Sequence, residues 1–202
     1  KLFLATVRLR WSRGLKYYSQ SKWRGTWELD GGVIANQSSH FIDLFQWLFG
    51  MPYKVFSRMK QMQKINKEVE DTSIAIFEYN HEKKLGLIEA TNAIRPKNLE
   101  GSISIIGEKG IIRIRDMMGG AIDVINTRTS PDFTNHKMPD YSNSKTFSNE
   151  SNSYMTGTYK HLLNCLKNKI TTCESSYSAL KTIKIIEAIK ESSKDSSTKL
   201  IE

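Results

Sequence analysis

The segment from Gly31 to Gly50 constrains the fold more than any other part of the chain. It opens with two glycines, runs on without another glycine or a proline, and closes with Gly50 followed two residues later by Pro52. A glycine with a proline just beyond it is a typical helix stop. Apolar residues recur at the spacing of one helical face; they are Phe41, Leu44, Phe45 and Leu48. The pattern predicts a helix, and Trp47 on another side predicts burial on more than one side.

Three polar residues interrupt this apolar pattern. Asn36, His40 and Asp43 are spaced four and three residues apart, which places them on one face of a continuous helix. Polar groups on a buried helix need a hydrogen-bond partner or a ligand. Two interpretations stay open: a core histidine held by Asp43 or by a backbone carbonyl, or a site that binds and handles a ligand.

The run Gly-Gly-x3-Asn-x3-His-x2-Asp, which starts at Gly31 and is followed by Leu-Phe-Gly at 48–50, closely resembles the signature of the Gfo/Idh/MocA oxidoreductases. These are NAD(P)-dependent sugar dehydrogenases and their relatives, and the signature lies in their C-terminal substrate domain. Tyr17-Tyr18, the run Trp-Arg-Gly-Thr-Trp at 23–27 and Asn36-Gln37 are similar to the branch that oxidises UDP-N-acetylglucosaminuronic acid (UDP-GlcNAcA) at the sugar C3. Further matches lie at 89–91, 95–103 and 107–110, so the resemblance spans most of the chain.

The resemblance implies a catalytic role for His40, beside the reacting sugar carbon and the nicotinamide. Imidazole titrates near neutrality, so His40 would bind the substrate hydroxyl and assist removal of its proton. Many relatives have an aspartate at the position of Asn36. An amide can hold a hydroxyl or orient His40, but it cannot act as a base. Asn36 and Gln37 are therefore predicted to bind substrate.

Other candidates for substrate binding lie outside the signature. Arg24, Arg95 and Lys97 are predicted to contact an anionic group, since a guanidinium fork matches carboxylate or phosphate geometry; the alternative is that they are solvated surface charges. Tyr159 and His161 begin a helix where relatives place substrate contacts. The aromatic residues of segment 13–28 either pack in the core or form a wall for a nucleobase or sugar ring.

The cofactor half of the family pattern is not found in this sequence. Neither a Glu-Lys-Pro motif nor Gly-x-Gly-x-x-Gly occurs, and no strand–glycine loop–helix unit is predicted. We expect NAD or NADP to be bound mainly by an N-terminal domain missing from these 202 residues, and we assign no cofactor-binding residue here. Residues 1–202 are predicted to be one substrate-binding and oligomerisation domain, inactive alone.

Composition narrows the functional class. The net charge of +9 suits an anionic small molecule, and no dense basic block or nucleic-acid motif accompanies it. No apolar run is long enough to cross a membrane. The two cysteines, Cys165 and Cys173, form no disulfide framework, and the four histidines are scattered, so we predict a cytoplasmic protein without a metal.

Period-two alternation predicts strands on both sides of the central helix. Strands are expected within 2–12, 53–65, 72–79, 85–91, 102–106, 111–115 and 121–125, and two helices close the chain. The short links favour antiparallel pairing. The fold class is therefore α+β, with an open, largely antiparallel sheet of about six strands covered on one face by helices. In the family the other sheet face often joins subunits, which implies a homo-oligomer, a dimer or tetramer.

Three functions remain open at this stage. The first is the substrate domain of an NAD(P)-dependent dehydrogenase that acts on a UDP-sugar acid and makes precursors of surface polysaccharide. The second is a family member that oxidises another sugar or inositol. The third is a ligand-binding or assembly module without catalysis. A substrate panel separates the first two, and the sequence upstream of Lys1 separates both from the third.

Overall fold

The computed structural model describes residues 1–115, 122–126, 151–170 and 176–201, with side chains outside the description at 122–126, 151–158 and 176. The strands are β1 (Leu2–Arg10), β2 (Lys54–Lys60), β3 (Thr72–Glu78), β4 (Leu85–Thr91), β5 (Glu100–Gly107), β6 (Gly110–Arg115), β7 (Ile122–Asn126) and β8 (Lys199–Leu200). The helices are α1 (Leu15–Tyr18), a π-helix (Val33–Gln37), α2 (Ser39–Phe49), α3 (Ser151–Asn168) and α4 (Ser176–Asp195).

All eight described strands belong to one sheet, in the order β7-β6-β5-β1-β4-β3-β2-β8. β1 lies in the middle, parallel to β4 and antiparallel to β5, and the other neighbours are antiparallel. The predicted α+β class with an open, largely antiparallel sheet is confirmed. The expected number of about six strands is too low: seven strands overlap the predicted ranges, and the eighth is the short strand at Lys199–Leu200 beside β2.

The hydrophobic core lies between one face of the sheet and the helices α2 and α4. β1 buries Ala5, Val7 and Leu9 on this face, while the residues between them face the other way. α2 contributes Phe45 and Phe49. Of the four phenylalanines among the largest fully buried side chains of the described residues, three lie on α2 within the signature segment and Phe77 lies on β3.

The signature segment is not the continuous helix that its periodicity predicts. The N–H of Ser38 donates to the carbonyl of Val33 at 2.9 Å, five residues back, and this wider turn makes 33–37 a π-helix. The α-helix begins anew at Ser39. π-Turns of this kind are frequent at functional sites, and this one resets the direction in which Asn36 points relative to α2.

α2 is buried on more than one side, as predicted, but Trp47 does not lie on a buried side. Its side chain is 70% exposed, whereas Phe41, Ile42 and Phe45 are fully or almost fully buried. α2 packs against the sheet on one side and against α4 on another, so its remaining side faces outward. Whether an apolar side chain is buried therefore depends on which elements pack against it, and not on its apolar character alone.

The apolar spacing along α4 predicts a buried face that includes Ile183, Ile186 and Ile189, and the structure buries only part of that set. Ile183 is 51% exposed, whereas Ile185, Ile186 and Ile189 are buried. The helix is held to β2 by hydrogen bonds near its C-terminal end: Ser57 Oγ donates to the carbonyl of Ile189 at 2.5 Å. These bonds set the rotation of α4 on the sheet.

The strand predicted over 53–65 ends earlier, at Lys60. The carboxylate of Asp71 accepts the backbone N–H groups of Met62 and Gln63 at 2.9 and 3.0 Å and the ammonium of Lys67 at 2.9 Å. These bonds fold the segment 61–71 into a loop. The loop brings Glu70 beside the glycine pair at the start of the π-helix.

The second face of the sheet is not covered by any described helix. Ile74 and Ile76 of β3 are 50% and 48% exposed on this face, and Phe56 of β2 lies beside Ile76 in register. The segment 127–150, whose polar composition predicts a long loop, lies outside the described residues. Across the described ranges, we find no helix with the length and apolar character needed to cross a membrane.

Candidate active site

A cavity of about 1020 Å³ opens where β1 ends, β5 begins and the π-helix meets α2. Its volume is at the upper end of the range for ligand pockets. The described residues that line it are Arg10, Trp11, Arg13, Tyr17, Asn36, Gln37, His40, Asn98, Leu99, Glu100, Gly101, Ser102 and Arg115. Asn36, Gln37 and His40, which are predicted from the sequence, therefore meet in one cavity.

His40 is a wall residue of this cavity, not a core histidine. Its side chain is exposed while the next residue, Phe41, is only 2% exposed. In the described part of the chain no hydrogen bond joins its imidazole to another residue. Asp43 is engaged elsewhere, since its Oδ1 accepts from the hydroxyl of Thr182 at 2.8 Å. The interpretation in which Asp43 holds His40 in the core is therefore wrong.

Asn36 is held by a buried carboxylate that precedes the glycine pair. Asp30 is 6% exposed. One of its oxygens accepts the backbone N–H of Gly25 at 2.5 Å, and the other accepts from the Asn36 side-chain amide. Asn36 thus has a directed amide in the cavity wall, and the carboxylate that directs it comes from a residue that the signature does not include.

Gln37 lies beside Asn36 but uses both ends of its amide within the protein. Its Nε2 donates to the hydroxyl of Tyr17 at 3.2 Å, and its Oε1 accepts from the amide of Asn92 at 2.7 Å. Asn92 is fully buried. Gln37 therefore orients Tyr17, another lining residue, and its predicted direct contact with substrate remains a prediction.

The glycine pair places this group of residues by a close approach to Glu70. Gly32 has φ +85° and ψ −171°, a conformation that only glycine adopts readily, and a Cβ there would overlap the Glu70 carboxylate. Glu70 is 4% exposed, and its Oε1 accepts the N–H of Ile34 at 3.1 Å. The carboxyl group thus satisfies one of the free N–H groups at the start of the π-helix.

Burial governs the ionisation of Glu70. Loss of solvent raises the pKa of its carboxyl group from 4.5 to about 7, although the Ile34 N–H and the charges of Lys190 and Lys67 act in the opposite direction. Its Oε2 has no hydrogen-bond partner among the described residues. Near neutral pH, protonated and ionised forms of Glu70 coexist beneath the site.

This pKa shift predicts a pH-dependent stability. The pKa of Glu70 is higher in the folded protein than in the unfolded chain. The contribution of Glu70 to the unfolding free energy is therefore fully present below pH 4.5 and is lost as the pH rises to about 7. Glu70→Gln keeps an acceptor for Ile34 without a charge. We expect the difference in unfolding free energy between the variant and wild type to change by about 2–3 kcal/mol from pH 5 to pH 8, in favour of the variant.

Urea unfolding at the two pH values measures this difference. Glu68→Gln is the matched control, because Glu68 is an exposed carboxylate two residues away. If the difference in unfolding free energy between wild type and Glu70→Gln is the same at pH 5 and pH 8, Glu70 does not titrate in this range.

Arg13, like Arg10 and Arg115, is one of several cavity residues that were not predicted from the sequence. Its guanidinium lies between two rings, with Cζ 4.9 Å from the centroid of Trp11 and 5.2 Å from that of Tyr17. Its Nη1 donates to the Ser12 carbonyl at 2.9 Å and to Asn98 Oδ1 at 3.3 Å. One feature of the sequence could have pointed to Arg13: it directly follows a predicted strand, and the segments that follow strands commonly carry site residues.

The three cations predicted as anion contacts lie outside the described lining. Arg24 packs against Tyr17, with Cζ 4.1 Å from the ring centroid, and donates to the Tyr17 carbonyl at 2.9 Å. Arg95 donates to the Ile94 carbonyl at 2.7 Å and to Gln63, so it ties loops together. Lys97 is exposed. Their roles in substrate binding remain predictions.

Tyr159 and His161 also lie apart from the cavity. Tyr159 is 58% exposed on α3, and the ring of His161 lies 3.5 Å from the sulfur of Cys165. Cys165 is buried as a free thiol; Cys173 is outside the described residues. The structure therefore does not bring these two predicted residues together with His40.

The described residues do not fit a dinucleotide site. The glycine pair is not preceded by a strand of a parallel strand–loop–helix unit, and the N–H of Ile34 after it is already bonded to Glu70. Nor do any three His, Cys, Asp or Glu side chains in the described ranges cluster in a way that could hold a metal ion.

Comparison with known proteins decides the family. Residues 2–200 match the family model described as the C-terminal alpha/beta domain of an oxidoreductase family, Gfo/Idh/MocA. The chain belongs to this family. The WlbA dehydrogenase of Bordetella pertussis, solved with NADH and UDP-GlcNAcA, is similar at 29% identity and a TM-score of 0.79. That of Chromobacterium violaceum, with the same two ligands, is similar at 28% and 0.77.

More distant solved structures share the fold. A levoglucosan dehydrogenase in complex with NADH is 13% identical with a TM-score of 0.73 and is matched over 59% of its length. All of this chain aligns with each WlbA enzyme, but it spans only 55% of their length. A comparison with curated proteins gave no match. This Gfo/Idh/MocA chain therefore corresponds to about half of the WlbA proteins.

Proposed function

We propose that this chain is the substrate-binding part of an NAD(P)-dependent dehydrogenase that oxidises the C3 hydroxyl of a UDP-sugar acid. The observation that carries the proposal is the meeting of His40 and Asn36 in the wall of a large cavity that also holds arginines. The similarity to two enzymes solved with UDP-GlcNAcA supports the substrate class. A role in precursor synthesis for surface polysaccharide is part of this proposal.

The charges of the cavity suit an anionic ligand. Three arginines and one glutamate are among its described lining residues. Arg10 is paired with Glu89 at 2.6 Å and with Glu100 at 3.3 Å, so its charge is largely balanced. Arg13 has no such acidic partner in the described chain. It is therefore our first candidate for a contact with the phosphate or carboxylate of the ligand.

The chemistry requires that the substrate hydroxyl loses a proton while its carbon loses a hydride. A nicotinamide cofactor, when bound, supplies the hydride acceptor. In this chain Asn36 holds the hydroxyl, and the exposed imidazole of His40 accepts or relays its proton. Trp11 and Tyr17 give the cavity apolar walls that exclude water from part of the ligand.

Ligand binding to the full-length protein tests this function. We expect UDP-GlcNAcA to bind more tightly than UDP-N-acetylglucosamine, which has no carboxylate, and more tightly than the free sugar acid. Arg13→Ala should raise the Kd for UDP-GlcNAcA by about 10- to 100-fold, because a charge-assisted hydrogen bond contributes about 1.5–3 kcal/mol. Isothermal titration calorimetry measures each Kd.

Lys109→Ala is the control for this series, since Lys109 is exposed between β5 and β6 and outside the described lining. We expect its Kd to stay within about twofold of wild type. If Lys97→Ala raised the Kd for UDP-GlcNAcA and Arg13→Ala did not, the anion contact would be Lys97, as the sequence predicts, and not Arg13. Equal binding of all three ligands would contradict the UDP-sugar acid proposal.

A second candidate function is oxidation of another sugar or inositol, which the likeness to levoglucosan dehydrogenase allows at the level of fold alone. Tight binding of a free sugar in the same titrations would favour it. A ligand-binding module without catalysis would bind UDP-GlcNAcA, but the full-length protein would not reduce NAD or NADP.

The open sheet face is the surface that we assign to assembly of a homo-oligomer. It carries half-exposed Ile74 and Ile76 on β3, an internal strand, where a soluble monomer usually has polar residues. Light scattering of the full-length protein should give the mass of a dimer or tetramer. The mass of a monomer would contradict this assignment.

A further inference from the structure

The helix α3 carries an apolar stripe that this chain leaves uncovered. Tyr159, Leu162, Leu163 and Leu166 follow one another at steps of three, one and three residues, so they share one face of the helix. Their side chains are 58%, 44%, 54% and 67% exposed. Of residues 159–168, the part of α3 whose side chains are described, only Cys165 is buried. The face that an amphipathic helix normally packs into a core is here open.

A continuous apolar stripe differs from a single exposed leucine, which is ordinary on a protein surface. Helices of this kind owe most of their stability to the packing of their apolar face. α4 shows such packing in the same chain, since Ile185 and Ile189 are fully buried and the helix lies against β2 and α2. α3 requires an equivalent partner, and the described residues do not provide one.

The charges of α3 disfavour a second copy of this chain as that partner. Residues 151–170 include three lysines and a histidine but no aspartate or glutamate. Lys160, Lys167 and Lys169 are all exposed. Two copies packed stripe against stripe would bring these ammonium groups close together, and like charges across an interface repel. The fitting partner is therefore apolar at its centre and acidic at its rim.

The comparison with known proteins points to a partner on the same polypeptide. The match is to a C-terminal domain, and this chain spans only 55% of the length of each WlbA enzyme. A segment joined to this chain by a peptide link docks without the loss of translational freedom that a separate molecule incurs. A modest apolar stripe therefore suffices to hold it.

We propose that the stripe on α3 is the surface on which the part of the full-length protein N-terminal to Lys1 docks. The exposed side chains Leu162, Leu163 and Leu166 fill the apolar centre of this contact, and the lysines face acidic residues at its rim. The inference goes beyond the proposed function and does not depend on which substrate the cavity binds.

Thiol labelling of the full-length protein tests whether the stripe is covered. We expect N-ethylmaleimide to modify Leu166→Cys at least about tenfold more slowly than Asn164→Cys, because a docked partner shields the stripe. Asn164 is the matched control, since it is exposed two residues away on the opposite side of α3. Peptide mass spectrometry counts Cys165 and Cys173 separately. Equal rates in the folded protein overturn the inference.

Photo-crosslinking identifies the partner. Leu166→p-benzoylphenylalanine is introduced into full-length protein, and copies grown in ¹⁴N and ¹⁵N are mixed before illumination. We expect the product to join α3 to a peptide upstream of Lys1 within one isotopically uniform chain, with at least about tenfold less product from Asn164→p-benzoylphenylalanine.

Three results of this experiment overturn the inference. A product that joins ¹⁴N to ¹⁵N chains would assign the stripe to a second copy. A product within residues 1–202 would mean that this chain covers its own stripe. Equal yields from positions 164 and 166 would mean that the stripe has no specific partner. Neither measurement uses a ligand, so failure of UDP-GlcNAcA to bind would end the proposed function and leave this inference to be decided by labelling and crosslinking.

Discussion

Replacing His40 with alanine in the full-length protein should lower kcat by about 10²- to 10⁴-fold, the usual contribution of a positioned acid–base group. The imidazole is exposed in the cavity wall beside Asn36, and Asp43, its nearest acidic neighbour in the signature, is bonded to Thr182. The group is therefore available to a ligand and is not committed to the core. The Kd for UDP-GlcNAcA should change by less than about tenfold, because removing one neutral contact costs about 0.5–1.5 kcal/mol.

Steady-state rates of NADH or NADPH formation measure kcat, and calorimetry measures the Kd. His81→Asn is the matched control: His81 is exposed on the turn between β3 and β4 with φ +57°, a conformation that asparagine tolerates. Its kinetics should stay within about twofold of wild type. Unchanged kcat in His40→Ala would remove His40 from the mechanism and leave the cavity as a binding site only.

Gly32→Ala should reduce the unfolding free energy by about 2–6 kcal/mol, the largest effect on stability that we expect from a single change. Two costs combine. A side chain at φ +85° and ψ −171° is strained by about 1–3 kcal/mol. The new Cβ also displaces the Glu70 carboxyl group from the N–H of Ile34, which leaves buried polar groups unpaired at about 1–3 kcal/mol.

Urea unfolding followed by circular dichroism measures the loss. Gly14→Ala is the control, because Gly14 has φ −95°, which any residue adopts, and a Cβ there would lie 3.3 Å from the end of the flexible Arg95 side chain. The control should change stability by less than about 1 kcal/mol. A Gly32→Ala variant as stable as Gly14→Ala would mean that the segment before α2 can repack, and that the glycine pair is not a requirement of the fold.

The central helix and the positions of the long strands along the chain could be predicted because both are encoded locally. The apolar spacing from Phe41 to Leu48 and the helix stop at Gly50 predict α2, and period-two alternation predicts the long strands. The same logic misjudged Trp47 and Ile183. Periodicity identifies which residues share a face, but the neighbours of that face decide whether it is buried.

Part of the site could be predicted as well. Asn36, Gln37 and His40 occur within five residues of one another, and all three line the cavity. Arg13 could not be separated from the many other cations of a chain with net charge +9. A charge contributes to a site through its position in space, and composition carries no such information.

Three features can be predicted from the sequence alone: a helical segment that carries a histidine and an asparagine, strands that pair mostly with antiparallel neighbours, and a family signature. Only the tertiary structure decided the partners of those residues. Asp30 meets Asn36 across a turn, Glu70 reaches Gly32 from a loop nearly forty positions away, and the end of β1 brings Arg13 to His40. The physical reason is that hydrogen bonds and burial act over a few ångströms in space, whereas periodicity along the chain reports only the nearest turns of one helix or strand.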